Sequence, residues 1–420
     1  MTGAGSGDRQ SRAEEHGPDQ EHGPAEERSL TKEHSLTPQQ LGAANHVSFF
    51  AAQAEHAEPR FGGTLAWTKG GGATVGFTDE VVADPDGARA FADETLARVR
   101  AAGAETLGWW SLVPEAVGVL GPILLARGFD WGWRPNWMVL DVDDVVRDLS
   151  QPGRLEIRGD GLVLTGFVDG VELGKVAGHV CEVEGEAVGG LYDMAVDESA
   201  RRQGIGSALI VAVSDRLAAA GCRQVFLNAT GMGQPVYLRT GFRLLGESGQ
   251  TWWMMQEPLR SAHPDRAEIA FTEALALGDL EAVRASLAAH PRDLEAELAG
   301  RSTPMHVAVA TGNTAAVELL REHGAILDVV AAWDLGWRDA AAETLRATPD
   351  QVNRQHGSWA MTPLHTAAQR GDIDLARLVL SARPDLTLTD SAFGGTSLGW
   401  ARHMGHDDIA ALIEAAGNPS

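Results

Sequence analysis

The stretch with the most chemical content is "LYDMAVDESARRQGIGSAL", residues 191–209, where Arg201 and Arg202 stand directly before Gly204 and Gly206. A short apolar strand leads into a loop, and an apolar helical run leaves it. Glycine in a helix gives up about 1 kcal/mol relative to alanine, so its use here implies that something approaches the backbone closely. The first turn of a helix presents unpaired N–H groups and a partial positive charge, which suit a pyrophosphate. The glycines admit the anion's oxygens to the backbone, and the arginines add charge. A phosphate loop ending in Gly-Lys-Ser/Thr does not fit, because Gly206-Ser207 lacks the lysine. A dinucleotide turn fails too, since Leu209 stands where a third small residue is required.

Two similar segments surround and precede this loop. In residues 153–259 a strand pair ends in "GGLYDMAV", then come a helix from Gly204 to Gly221, the strand "QVFLNAT", a short helix "QPVYLRTGF", and closing strands around "FRLLGE" and "TWWMMQEPL". Residues 46–146 run in the same order. The hairpin "TLAWT"/"ATVGFT" precedes the helix "DGARAFADETLARVRAAG". The strand "TLGWWSL" follows, then the helix "PEAVGVLGPILLARG" and the closing strands "FDWGW" and "NWMVLDV". The endings match in words as well, "LARGF…NWMVLDV" against "LRTGF…WWMMQEP". The pattern predicts a duplicated mixed α/β domain. The first copy carries one glycine and no basic pair in "DPDGARAFADE", so it is expected not to hold the same anion. Trp131 and Trp133, two apart on one expected strand, would share a face and could line a slot for a cation; core packing is the plainer role.

Residues 266–417 are helical in pattern, with glycines at 278, 312, 336, 371 and 405, each followed by an amphipathic phrase. A period near 33 residues is that of ankyrin repeats, and "TPMHVAVATGN" (303–313) and "TPLHTAAQRGD" (362–372) resemble the ankyrin consensus. That resemblance implies an all-α solenoid that binds a protein partner. It also implies that His306 and His365 hydrogen-bond between repeats, which removes both from the metal and catalytic candidates. Residues 1–45 read as a disordered polar tail in which "EHGP" occurs twice.

Residues 155–259 resemble the GCN5-related N-acetyltransferases (GNAT). Arg201-Arg202-Gln203-Gly204-Ile205-Gly206 is similar to their Arg/Gln-x-x-Gly-x-Gly/Ala loop, and "GMGQPVYLRTGF" (231–242) to a second family element. The resemblance implies acetyl-CoA as co-substrate, an amine acceptor (small molecule or protein) and no metal. Met194, Ala195 and Val196 would lend backbone groups to the pantetheine arm. Arg201, Arg202, Gln203, Gly204, Ile205, Gly206 and Ser207 would cradle the pyrophosphate, with Asn228 beside the arm where the sheet splays. Tyr237 falls at the family's general acid, which protonates the departing thiolate; packing before Gly241-Phe242 is its other reading. For the base, Asp193 leads, with Tyr192, His179 and Glu182 near in strand order. Adjacent strand residues face opposite sides, so at most one of Tyr192 and Asp193 points into the cleft. The family's two helices between its first strands have no room in "RLEIRGDGLVLTGF" (154–167). The acceptor wall must then come from the first domain, or the site is open.

The net charge of −24 argues against a general nucleic-acid binder, and serves solubility or the steering of a cationic acceptor. No apolar run is long enough for a membrane span, and no apolar h-region opens the chain. The two cysteines, Cys181 and Cys222, form no framework, as expected of a bacterial cytoplasmic protein. The expected fold is therefore two α/β mixed-sheet acetyltransferase domains in tandem (46–146, degenerate, and 153–259), followed by an ankyrin solenoid (266–417). The expected function is N-acetyltransfer, with a CoA-binding scaffold as the alternative.

Overall fold

The computed structural model describes residues 36–417, apart from 61–62, 69–70, 77–78, 112–113, 151, 247–248, 292 and 358. The expected tail therefore lies mostly outside the described residues, and its last part needs correction. Helix α1 spans Pro38–Gln53. Thr37 accepts the Gln40 N–H, the Gln40 side chain returns to the Thr37 N–H, and Pro38 fills the first turn. The helix buries Gly42, Ala43, Asn45, His46 and Phe49, which is why 38–45 is ordered.

Strands β1 (Ala54–Arg60), β2 (Gly63–Thr68) and β3 (Gly72–Gly76) lead to α2 (Pro85–Ala101), β4 (Thr106–Ser111), α3 (Pro114–Leu125), β5 (Asp130–Trp131) and β6 (Asn136–Asp141). The second segment supplies β7 (Leu155–Arg158), β8 (Val163–Val168), β9 (Val171–Val183), β10 (Glu186–Val196) and α4 (Ile205–Ala219). It continues with β11 (Gln224–Ala229), α5 (Gln234–Arg239), β12 (Arg243–Leu244), β13 (Gln250–Met254) and α6 (Gln256–Ser261).

Two sheets result, ordered β1-β2-β3-β4-β13-β5 and β12-β6-β11-β10-β9-β8-β7. Read from β8 to β12, the second repeats the order of the first, with one difference. The closing strands are exchanged: β6 pairs with β11 and β12, and β13 pairs with β4 and β5. The sheets are thus not partitioned at the expected 146/153 boundary. Both strands carry a Trp-Met apolar pattern, so the sequence pattern fits either sheet. Pro135, with no N–H to offer a ladder, marks where the chain leaves the first sheet. Trp252 and Met254 are fully buried in the first sheet's core, and Met138 and Leu140 in the second's.

Helix α1 meets both sheets in an apolar layer that includes Ala43, Trp110, Trp137, Val139, Val188 and Phe226. Asn45, fully buried, donates to the Val188 carbonyl at 2.8 Å and accepts from the Tyr192 hydroxyl at 2.6 Å. Gly190 is required beneath it, because a Cβ there would sit 1.9 Å from Asn45 Oδ1. Asn45→Ala is expected to destabilise the fold by roughly 1–3 kcal/mol for each of the two groups it orphans, measurable by chemical denaturation.

Five helix pairs complete the chain. They are α7 and α8 (Arg266–Leu277, Leu280–Ala289), α9 and α10 (Pro304–Ala310, Thr314–Glu322), α11 and α12 (Val329–Asp334, Arg338–Ala347), α13 and α14 (Pro363–Arg370, Ile373–Ser381), and α15 and α16 (Ser397–Met404, Asp407–Gly417). His365 Nε2 donates to the Gly395 carbonyl ahead of the next pair at 3.1 Å, and its Nδ1 accepts from Thr362 Oγ1 at 2.7 Å. The array docks on the first sheet's helices. Arg127 is only 5% exposed and is held by Asp93 at 2.7 Å and by Glu273 of α7 at 2.9 Å. No described helix is long and apolar enough to cross a membrane, and both cysteines are free thiols.

Candidate functional site

The glycine loop stands where a strand pair opens. Strands β10 and β11 run parallel and pair only at Gly189–Val225 and Gly190–Phe226. Beyond those positions the two strands separate, and β10 continues to Val196 while β11 continues to Ala229. A register shift between Tyr192 and Ala195, against Ala177 and Lys175 of β9, places a bulge on β10 at this point. Asp193 in the bulge takes φ +49° and is exposed. Bulges of this kind re-aim side chains and end pairing. Met194, Ala195 and Val196 follow along the opened edge, and Asn228 lies on the facing strand, paired on its other side with Trp137 of β6.

Gly204 caps α4 in the left-handed region, at φ +89°. The first bond of the helix runs from the Ala208 N–H to the Gly204 carbonyl at 3.0 Å. The N–H groups of Ile205, Gly206 and Ser207 precede it and point out of the helix start. Arg201, Arg202 and Gln203 are exposed around this end; Arg202 is also left-handed, at φ +63°. Gly206 brings α4 close to β10, since a Cβ there would meet Met194 Cε at 3.2 Å and Val196 Cγ2 at 3.5 Å. The expected anion cradle and the opened strand edge are thus adjacent.

Tyr237 sits on α5, which packs beside the start of α4. Its ring is buried, 5.6 Å from that of Phe242 and edge-on to it. Burial pushes the phenol up to about 12, so it keeps its proton throughout the ordinary pH range.

The base candidates divide. Tyr192 stacks on Phe49 of α1 with ring centroids 3.7 Å apart and gives its proton to Asn45 in a hydrogen bond; burial raises its phenol well above the usual value. His179 faces the same helix, its Nε2 2.9 Å from Ser48 Oγ, and burial lowers its pKa. Glu182 is exposed and alternates to the face opposite His179 and Cys181. Asp193 alone combines exposure with a place on the bulge. The wall over β9 and β10 comes from α1, whose residues Asn45, Ser48 and Phe49 the sequence reasoning missed. The signal was present in the Thr37-to-Gln40 capping box.

The tryptophan slot, the lesser of the two readings, does not form. Trp131 packs toward Trp252, whereas Trp133 stacks on Trp253, the neighbouring residue, which faces the other way. Gly132 donates to the Thr251 carbonyl and Thr251 donates to that of Trp133, so two residues oppose one and the face reverses.

Comparison with known proteins matches residues 167–258 to the family described as "Acetyltransferase (GNAT) domain", and residues 301–332 and 361–391 to the ankyrin repeat. No curated protein matches the chain. Among solved structures, a GCN5-related N-acetyltransferase from Kribbella flavida is similar at 15% identity and TM-score 0.37, over 51% of this chain and 93% of that one. Another from Sphaerobacter thermophilus is similar at 13% identity and TM-score 0.36, over 46% and 76%.

Proposed function

From a chain that carries a GNAT acetyltransferase domain and ankyrin repeats, we propose an enzyme that moves acetyl from acetyl-CoA to an amine acceptor. The observation that carries this reading is the opening of β10 from β11 directly beside the Gly204 helix start. The cleft edge at Met194, Ala195 and Val196 takes the pantetheine arm, with Asn228 across from it. Residues Arg201 to Ser207 take the pyrophosphate. The amine nitrogen attacks the thioester carbonyl, a C–N bond forms, and the C–S bond breaks. Asp193 accepts the proton that the ammonium loses before attack, and the second proton, shed by the nitrogen as it becomes the amide, goes to the departing thiolate to give the free thiol.

In this reading Tyr237 serves the thiolate end of the arrangement. A phenol near 12 does not hand its proton fully to a thiolate of pKa about 8.5. It acts instead as a hydrogen-bond donor to the charge that develops as C–S breaks. Tyr237→Phe is expected to lower kcat about 10²-fold or more while leaving acetyl-CoA affinity near wild type. The measurement is thiol release at saturating acetyl-CoA over a panel of amines and peptides. A kcat equal to wild type would return Tyr237 to the packing role.

The first sheet is read as a copy without cofactor. There β3 and β4, the counterparts of β10 and β11, stay paired over five positions from Gly72–Thr106 to Gly76–Trp110, which favours a closed edge. The ankyrin array is read as the docking element for a protein partner or substrate, with Phe393 (69% exposed) at a turn tip as one contact. One observation favours a scaffold over an enzyme: α1 covers the β9–β10 face and occupies Tyr192. Amine-dependent thiol release separates the two.

A further inference from the structure

Away from the glycine loop, three side chains from three places along the helical array converge. His306 lies on α9, Asp328 caps α11, and His356 lies in the short bridge His356–Met361 that precedes α13. One ligand atom from each falls within 4.8 Å of the others. The rings of His306 and His356 are 4.5 Å apart, and His306 Nε2 is 2.9 Å from Asp328 Oδ2. The His306–Asp328 contact joins α9 to the cap of α11, both inside the matched repeat 301–332. It does not involve His356, whose Nε2 is buried with no hydrogen-bond partner among the described residues. A buried, unpartnered imidazole nitrogen costs stability unless something satisfies it.

From this arrangement we infer that His306, Asp328 and His356 form a binding site for a transition-metal dication of the zinc class. Two imidazole nitrogens and one carboxylate are a donor set that zinc accepts, with water completing four-coordination. The surrounding contacts already orient the donors. Thr303 Oγ1, 3.1 Å from His306 Nδ1, fixes that ring with Nε2 turned toward Asp328. The Ala331 N–H occupies Asp328 Oδ1 at 3.0 Å, so a metal held by Nε2 and Oδ2 would replace the contact those two atoms now make. Arg354, whose charge reaches both histidines, is paired with Glu295 at 2.9 Å. Asp130 of β5 adds negative charge nearby, lying against Gly357. The metal would staple these three places together beside the first sheet.

The test uses the full chain, stripped with chelator and titrated with Zn²⁺, with Co²⁺ as an absorbing substitute. Wild type is expected to take up one ion per chain at this site and to melt at a higher temperature with Zn²⁺ than without. His356→Gln removes the unpartnered nitrogen, and Asp328→Asn keeps the helix cap while removing the charge. Each is expected to weaken Zn²⁺ binding at least about 100-fold and to lose both the melting shift and the Co²⁺ absorption of a nitrogen-oxygen site. If wild type takes up no ion, the inference fails. It fails equally if both variants bind Zn²⁺ as tightly as wild type, which would place the ion on the tail histidines His16, His22 and His34.

Discussion

Acetyl-CoA is expected to raise the melting temperature of this chain, and Gly204→Glu to abolish that rise. A ligand specific to the folded state stabilises it by about 2.7 kcal/mol at 100 times its dissociation constant, so the wild-type shift is readily seen. The glutamate would place a carboxylate among the N–H groups of Ile205, Gly206 and Ser207, where a pyrophosphate would otherwise lie. It would also force a side chain into φ +89°. The control for strain is Gly204→Asn, since asparagine tolerates the left-handed region and carries no charge. It is expected to keep most of the shift. Equal loss in both variants would assign the effect to backbone strain rather than to charge in an anion site. No shift in wild type would remove acetyl-CoA from the proposal.

The second large effect concerns dissection of the chain. Residues 153–259 expressed alone are expected not to fold, whereas 37–262 are expected to fold and bind acetyl-CoA. The shorter piece lacks β6, which pairs with β11 along its whole length from Gln224–Asp141 to Ala229–Asn136. It also carries β13, whose partners β4 and β5 are missing, so that Trp252 and Met254 lose the core that buries them completely. The longer piece keeps both exchanged strands and the whole of α1. It gives up Glu273, but Arg127 retains Asp93. Near-UV circular dichroism and the acetyl-CoA melting shift on both pieces decide the matter. A folded, cofactor-binding 153–259 would mean that the exchange is dispensable.

Much of this was legible in the sequence, and all the failures but one have a common cause. The glycine loop, the order of strands and helices, and the helix pairs after 266 follow from local signals: period, turn residues and caps. The exchange of β6 and β13 does not, because hydrophobic alternation says that a strand is buried and not which sheet buries it. The bulge at Asp193 is a mismatch with β9, and the reversal between Trp131 and Trp133 a mismatch with β13; neither is visible in one strand alone. Helix α1 was lost differently. Its polar surroundings in composition outweighed a capping box that was readable at Thr37 and Gln40.

The exchanged strands also set an order of events during synthesis. As the chain leaves the ribosome, β1 to β5 emerge with a gap between β4 and β5, and the strand that fills it, β13, comes only after the whole second sheet has been made. By contrast β6 is already present when β10 and β11 appear. The second sheet can therefore close first, on a strand delivered in advance. The first must wait with Trp109 and Leu107 uncovered on the β4 side, a long-range pairing of the slow, aggregation-exposed kind. The half that lacks the glycine loop is thereby the last of the two to mature, and its completion reports that the loop-bearing half has been synthesised in full.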